Sequence, residues 1–562
     1  MNLFTTAILL ETLFTIIFIG AIFAFGVCCY ILSYFISWLY IVGFLSLLYW
    51  FLVTERTPSP QEIRKRKDTF VVIVGAGYSG LCAAIRLKKE RIRFVLIEKS
   101  ETLGGTWWDN KYPGCACDIP SHFYSLSFKL NAFWTKMYSS GDEIQDYLED
   151  TADYYGIREH VKFSCKVDTC EFNKETQKWS VKTSTGHEFE CNYLISGMGA
   201  LHVPKFPSLK GMEEFQGEHF HTAQWKDDFD WSGKRVGIIG TGSSSIQAVP
   251  KLAERCEELY VFQRTPAWIF PLLNLRYPAI IQKLFQAFPF VMKLHRLYFF
   301  FRSEFVFAAF FGKVSLAREI ISNLTNQLMS NEVADPKLAE KLIPKYSMFS
   351  KRITISNDYL KTFNRPNVHL ITEPIQEITH NSILLKNNQD ASAKEVELDA
   401  IIYATGFDVL QSSTNMDIKN PNNGKSLSTI WGETPNAYMG IMPAGLPNFF
   451  MLFGPGTVLG HSSAIFMTEC QIDFMMKTIT RSIDNNCSSV EVTQEMNEGY
   501  QSYVTEGLKK VVYGTSPECK GWYYNESGTN YTLWPASCLH YWWKTSQVNF
   551  EDFKTTKACD KE

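Results

Sequence analysis

Three glycines, Gly75, Gly77 and Gly80, directly follow an apolar, β-branched run at 69–74 and open a segment at 81–89 whose apolar residues recur at helical spacing. In a strand–turn–helix context each glycine has a chemical reason to be there. The first allows a tight turn, the second lets the backbone approach a pyrophosphate, and the third lets the helix pack closely on the strand. The helix N-terminus then presents N–H donors and a partial positive charge to phosphates. A second apolar strand at 94–97 ends at Glu98, whose carboxylate suits a ribose diol. The pattern recurs downstream. A strand at 235–239 leads into Gly240-Thr241-Gly242-Ser243-Ser244-Ser245, with Ile246 and Gln247 continuing the turn into a helical stretch, and the following strand at 259–262 ends at Gln263-Arg264-Thr265. An acid at that strand end would repel a 2′-phosphate, whereas the Arg264 guanidinium would bind one. The first site therefore reads as FAD-binding and the second as NADPH-binding. Two dinucleotide sites on one chain restrict the chemistry to a flavin reduced by a nicotinamide.

The elements that position these residues need more than one core. At 562 residues the chain exceeds a single domain. A hydrophobic content of 46% with 20% charged residues excludes a disordered polymer, and a net charge of -3 argues against a nucleic-acid partner. The fourteen cysteines follow neither zinc spacing nor a disulfide framework, and the Cys115-x-Cys117 pair stands alone, so no metal is expected. From Thr12 to Val53 no residue is charged, about twice the length needed to cross a bilayer. Arg56, Arg64, Lys65, Arg66 and Lys67 follow, so that end is expected to face the cytosol and the endoplasmic reticulum is the default membrane. The expected fold class is α/β, two Rossmann-like dinucleotide-binding domains with a helical insertion, preceded by a transmembrane anchor of one or two helices. The expected divisions are an anchor at 1–56, a linker at 57–67, FAD-binding parts at 68–220 and 396–545, an NADPH-binding domain at 221–395 with its insertion at about 268–345, and a tail at 546–562. Membrane lipid and a lipophilic small molecule are the expected partners, with O2 as co-substrate.

Further motifs carry a resemblance. Gly104-Gly105-Thr106-Trp107, then Tyr112-Pro113-Gly114 and Asp118, together with Phe215, Gly217, His221 and Trp225, resemble the class B flavoprotein monooxygenases of the Baeyer–Villiger type. Lys226 departs from the family's usual Pro or Asp. Ser196-Gly197-Met198-Gly199, Ala404-Thr405-Gly406-Phe407-Asp408 and Phe453-Gly454-Pro455-Gly456 before His461 add to the likeness, which spans about 68–541. It implies that Arg352 is the catalytic arginine, that Asp118 holds and tunes it, and that Lys351 contacts a phosphate. It also implies that Trp107, Asp118 and Tyr124 line the flavin pocket, and that Ala116, Cys117 and residues 241–247 touch NADP+. The implied reaction inserts one oxygen atom of O2 beside a carbonyl, through a C4a-peroxyflavin, to give an ester or lactone. The same cofactors would also serve an N- or S-oxygenating enzyme or an uncoupled NADPH oxidase.

Overall fold

The computed structural model describes residues 68–386, 394–514, 523–525 and 527–557; the expected anchor and linker lie outside them. Among the described residues no helix is long and apolar enough to cross a membrane.

Strand β1 (Phe70–Val74), helix α1 (Tyr78–Lys89) and strand β2 (Arg93–Ile97) form the first β-α-β unit. β1 and β2 run parallel in a five-stranded sheet completed by Val161–Lys162, Tyr193–Ser196 and Phe449–Met451. Four consecutive buried residues at the end of β1 and of β2 show why these runs are uninterruptedly apolar: both faces of a parallel sheet are covered. The second unit comprises β3 (Arg235–Ile239), α2 (Ser243–Leu252) and β4 (Glu258–Phe262). Its parallel sheet is completed by Val368–Ile371, Ala400–Tyr403 and Glu218–His221.

Two expected junctions move. Glu218–His221 pairs along Ala400–Tyr403, which in turn pairs with β3, so the second domain begins before 218 and continues through 403 rather than running from 221 to 395. The reason is register. Either tetrapeptide could serve any parallel sheet by its composition, and only its neighbours fix which one. Between β4 and Val368–Ile371 the chain forms α3 (Ala279–Ala287), α4 (Pro289–Phe310) and α5 (Leu316–Asn331) within the expected insertion. Helix α6 (Ala464–Asp484) then packs between α1 and α7 (Cys538–Ser546).

The insertion seals against the segment 118–128. His122 is buried in an edge-on cluster with Phe285, Tyr277 and His295, at centroid separations of 4.7, 5.1 and 5.2 Å. Burial, then the neighbouring His295 and Arg296, hold the His122 pKa down to about 3. The folded state thus binds fewer protons than the unfolded state once the pH falls below the unfolded value near 6.5, and stability is lost as pH falls from there toward the folded value. Such a histidine contributes a slope of about 1.4 kcal/mol per pH unit in that window. Denaturation free energies of the wild type and of His122→Phe, measured from about pH 4.5 to about pH 7, should differ by one such slope; parallel curves would show that His122 is protonated in the native protein.

Candidate active site

At the first turn Gly75 has φ of +96°, and a Cβ there would stand 2.8 Å from the Gly197 carbonyl oxygen. A Cβ on Gly80 would fall 1.7 Å from the Gly75 carbonyl oxygen, so a side chain at 80 would push the helix off the turn, and one at 75 would push against the backbone at 197–198. Gly77 faces Gly105, 3.5 Å from a notional Cβ to its Cα, which seats the Gly104-Gly105 motif directly on the dinucleotide turn. Helix α1 has no acidic residue in its first turn and no side-chain cap, leaving its first donors for an anion. Glu98 is buried at the end of β2 and pinned there: Ala76 N–H donates to Oε2 at 2.6 Å and Ser100 N–H to Oε1 at 2.9 Å. A cradle shaped by absent side chains, beside a fixed carboxylate, fits an FAD pyrophosphate and ribose. Trp107 meets Tyr124 edge-on at 5.6 Å, and Tyr124 meets Tyr78 at 5.3 Å, so one aromatic wall joins the turn to the 118–128 segment.

The second turn repeats the logic. Gly240 has φ of +111°, and its Cβ would sit 2.4 Å from the Ala404 carbonyl oxygen, while Gly242 and Ser243 are exposed at the start of α2. That helix too lacks an acid in its first turn and a side-chain cap. Thr241 donates its hydroxyl proton to the Thr265 carbonyl at 2.7 Å, tying the turn to the strand end that carries Arg264. Arg264 is exposed and has no ion-pair partner among the described residues. These features fit a nicotinamide dinucleotide with a 2′-phosphate. Ser245 and Ile246 are buried behind the turn. Gln247 has a different use: its Nε2 donates to the Ala116 carbonyl at 2.9 Å, and its Oε1 accepts from the Tyr112 hydroxyl at 2.8 Å and from Ala116 N–H at 3.4 Å. It stitches the 112–118 loop of the first domain to α2 of the second.

Loss of the Arg264 guanidinium removes a charge-assisted contact worth about 1.5–3 kcal/mol. Arg264→Ala should therefore raise KM for NADPH about 10- to 100-fold and leave KM for NADH nearly unchanged; equal effects on both coenzymes would remove the residue from the 2′-phosphate.

Asp118 and Arg352, 234 positions apart, form a two-point pair: Nε donates to Oδ2 at 2.6 Å and Nη2 to Oδ1 at 2.5 Å. Nη1 donates to the Leu459 carbonyl at 3.2 Å. Burial opposes the guanidinium's charge, but Asp118's charge and hydrogen bonds outweigh it and hold the Arg352 pKa above its ordinary value. Three of its five N–H donors are thus used among the described residues, leaving one on each terminal nitrogen. Lys351 lies over the Tyr346 ring at 4.8 Å. Cys117 is buried, with burial raising its thiol pKa, so it is an inert wall residue. Trp225 packs edge-on against Phe220 and Trp231 at 5.2 and 6.0 Å, an aromatic knot beside the strand Glu218–His221.

His461 received no role from its sequence alone, although the motif before it stood out. The structure brings it beside the pair. Burial, then the Arg352 charge, press its pKa down to about 3, so the imidazole is neutral next to the guanidinium. Ligand atoms of Glu304, His461 and Cys538 lie within 4.8 Å of one another. Both Glu304 oxygens, however, accept N–H groups at the start of α7, from Cys538 at 2.9 Å and Leu539 at 3.1 Å, and that carboxylate acts as a helix cap.

Residues 72–284 match the family described as pyridine nucleotide-disulphide oxidoreductase. A Baeyer–Villiger monooxygenase of Pseudomonas aeruginosa is 36% identical over 489 residues, which cover 86% of this chain and 90% of that protein. Among solved structures, cyclohexanone monooxygenase in a closed form aligns with a TM-score of 0.77 and 26% identity, and steroid monooxygenase bound to NADP with 0.76 and 26%. Each of these alignments covers 87% of this chain and the whole of the other. The family match spans both glycine turns and Asp118, and the chain belongs to the Baeyer–Villiger monooxygenases, flavoproteins that use FAD and NADPH to insert an oxygen atom from O2.

Proposed function

We propose that the protein converts a lipophilic ketone to an ester or lactone while held at a membrane, the endoplasmic reticulum, by its apolar N-terminal stretch, with the catalytic domains on the cytosolic side. The observation that carries the chemistry is the Arg352 guanidinium, locked at two points by Asp118 and with N–H groups left over. Bound at the first turn, FAD supplies a hydride acceptor for NADPH and a reduced ring that activates O2. Oxygen insertion beside a carbonyl passes through negatively charged oxygen, and a fixed cation that does not reorganise stabilises such charge most where water is excluded. Arg352 meets that need: Asp118 fixes its plane and keeps it charged, and neutral His461 adds no competing cation beside it. The wall of Trp107, Tyr124 and Tyr78 excludes water on the turn side.

The substrate class is supported by the names of the structural neighbours, which include a cyclohexanone and a steroid enzyme, and by the uncharged run at 12–53, which favours substrates that partition into lipid. The test uses detergent-purified full-length protein with NADPH, O2 and a panel of lipophilic ketones and matched thioethers. A ketone that gains one oxygen as an ester supports the reading. Sulfoxide alone, or hydrogen peroxide alone, would overturn it in favour of a heteroatom oxygenase or an oxidase. Topology has its own check: Asn323 and Asn486 are exposed and lie in N-x-[ST] sequons, so a glycosidase-sensitive mass shift in membranes would place the domains in the lumen instead.

A further inference from the structure

Between Glu258 and Glu304 the chain has no acidic residue, and near the helix corner it exposes Arg276 and Lys283. Within this stretch the corner where α3 meets α4 is two-faced. Phe285 and Met292 turn inward to a small core with Ala132. On the other side Ile280 is 75% exposed and Phe290 57%, with Leu284, Phe288 and Leu294 also exposed. Ile280 and Leu284 are one helical turn apart, as are Phe290 and Leu294, and the Phe288 and Phe290 rings lie 6.2 Å apart. Single exposed apolar residues are ordinary, but five gathered at one helix corner mark a surface that something apolar covers.

We infer that this corner is a lipid-docking surface that seats in the anionic leaflet of a membrane. Exposed apolar side chains on two adjoining helices, on a stretch of chain with exposed basic residues and no acidic ones, suit the boundary between headgroups and acyl chains. Lys283 is exposed beside Leu284, placed to meet lipid phosphates. The charge pattern favours anionic lipid over a protein partner. The chain also carries its own route to the bilayer: the uncharged run ends at Val53, and residues 54–67, fully extended, span at most about 50 Å, enough to let the domain settle on the same surface.

The surface also lies one helix from the active site. The Phe285 ring is 4.7 Å from that of His122, and Arg296 Nη1 donates to the Ser125 carbonyl at 2.6 Å, so the helices that meet lipid on one side hold the segment bearing Asp118 and Tyr124 on the other. The inference rests on the membrane attachment proposed above only for nearness to lipid.

The test places a photocrosslinker at the exposed position, Phe290→p-benzoylphenylalanine, in the full chain reconstituted into phosphatidylcholine vesicles with and without phosphatidylserine. Flotation reports attachment, and mass spectrometry after irradiation reports what covers residue 290. The expected result is a lipid adduct whose yield rises with phosphatidylserine. A chain that floats but crosslinks to residues 12–53, to a second copy, or to nothing overturns the docking surface alone. A chain that does not float overturns the attachment and the docking together.

Discussion

Arg352→Ala should lower the rate of ketone oxygenation by about 10²–10³-fold or more, the loss seen when one fixed donor to developing negative oxygen is removed, and should leave reduction of bound FAD by NADPH nearly intact. The separation follows from geometry. The cradle for FAD is built from Gly75, Gly77, Gly80 and Glu98, and the coenzyme turn from Gly240 and its neighbours, whereas Arg352 reaches the site from the far end of the insertion with Asp118 and the Leu459 carbonyl as its supports. Arg352→Lys should recover only part of the loss, because an ammonium keeps the charge but cannot match a carboxylate at two points. Asp118→Asn tests the support. It keeps the shape, but its amide NH2 cannot accept from the guanidinium, so one of the two hydrogen bonds is lost and the other loses its charge; oxygenation should fall and released peroxide should rise. Stopped-flow reduction of the flavin under nitrogen, paired with product and peroxide yields under air, reads all three variants. Parallel loss of reduction and oxygenation in Arg352→Ala would return the residue to a structural role.

The second large effect concerns stability. Arg296 of α4 and Glu469 of α6 are almost fully buried, 1% and 4% exposed at the side chain, and meet at 3.2 Å. Burial works against both charges, lowering the Arg296 pKa and raising that of Glu469. What offsets it are partners on the terminal guanidinium nitrogens and on both carboxylate oxygens. Arg296 Nη1 donates to the carbonyls of His122, Phe123 and Ser125 at 3.1, 3.1 and 2.6 Å, and Ser127 N–H donates to Glu469 Oε1 at 2.7 Å. Glu469→Ala would leave a buried cation without its counterion, which costs about 3–5 kcal/mol. The 122–127 segment should loosen with it, so FAD should be released at a lower temperature than the wild type releases it. Replacing both partners by apolar residues, Arg296→Met with Glu469→Leu, should regain only part of the loss, since the desolvation of two charges disappears but the carbonyls of residues 122, 123 and 125 and Ser127 N–H lose their partners. Thermal melts followed by flavin fluorescence distinguish these outcomes. A single substitution costing less than about 1 kcal/mol would mean that the pair is reached by water.

The sequence by itself determined the parts of this protein whose demands are local. A glycine that must adopt positive φ, or that must let a helix lie against a strand, announces itself within six residues, which is why both strand–turn–helix units were legible before any contact was known. The apolar runs of the two parallel sheets were legible for the same reason: burial on both faces leaves a mark on every residue of the strand. The resemblance of short motifs added Asp118 and Arg352 and implied that the one holds the other. Only the tertiary structure decided what depends on partners far apart in the chain. It fixed the two-point geometry between Asp118 and Arg352, gave Gln247 to the 112–118 loop, assigned 218–221 and 400–403 to the second sheet, and set His461 beside the guanidinium. Each of these is a matter of register or of a single long-range contact, and neither is encoded in the residue's own neighbourhood: a buried tetrapeptide fits several sheets equally well, and a polar side chain has no fixed partner until the fold supplies one.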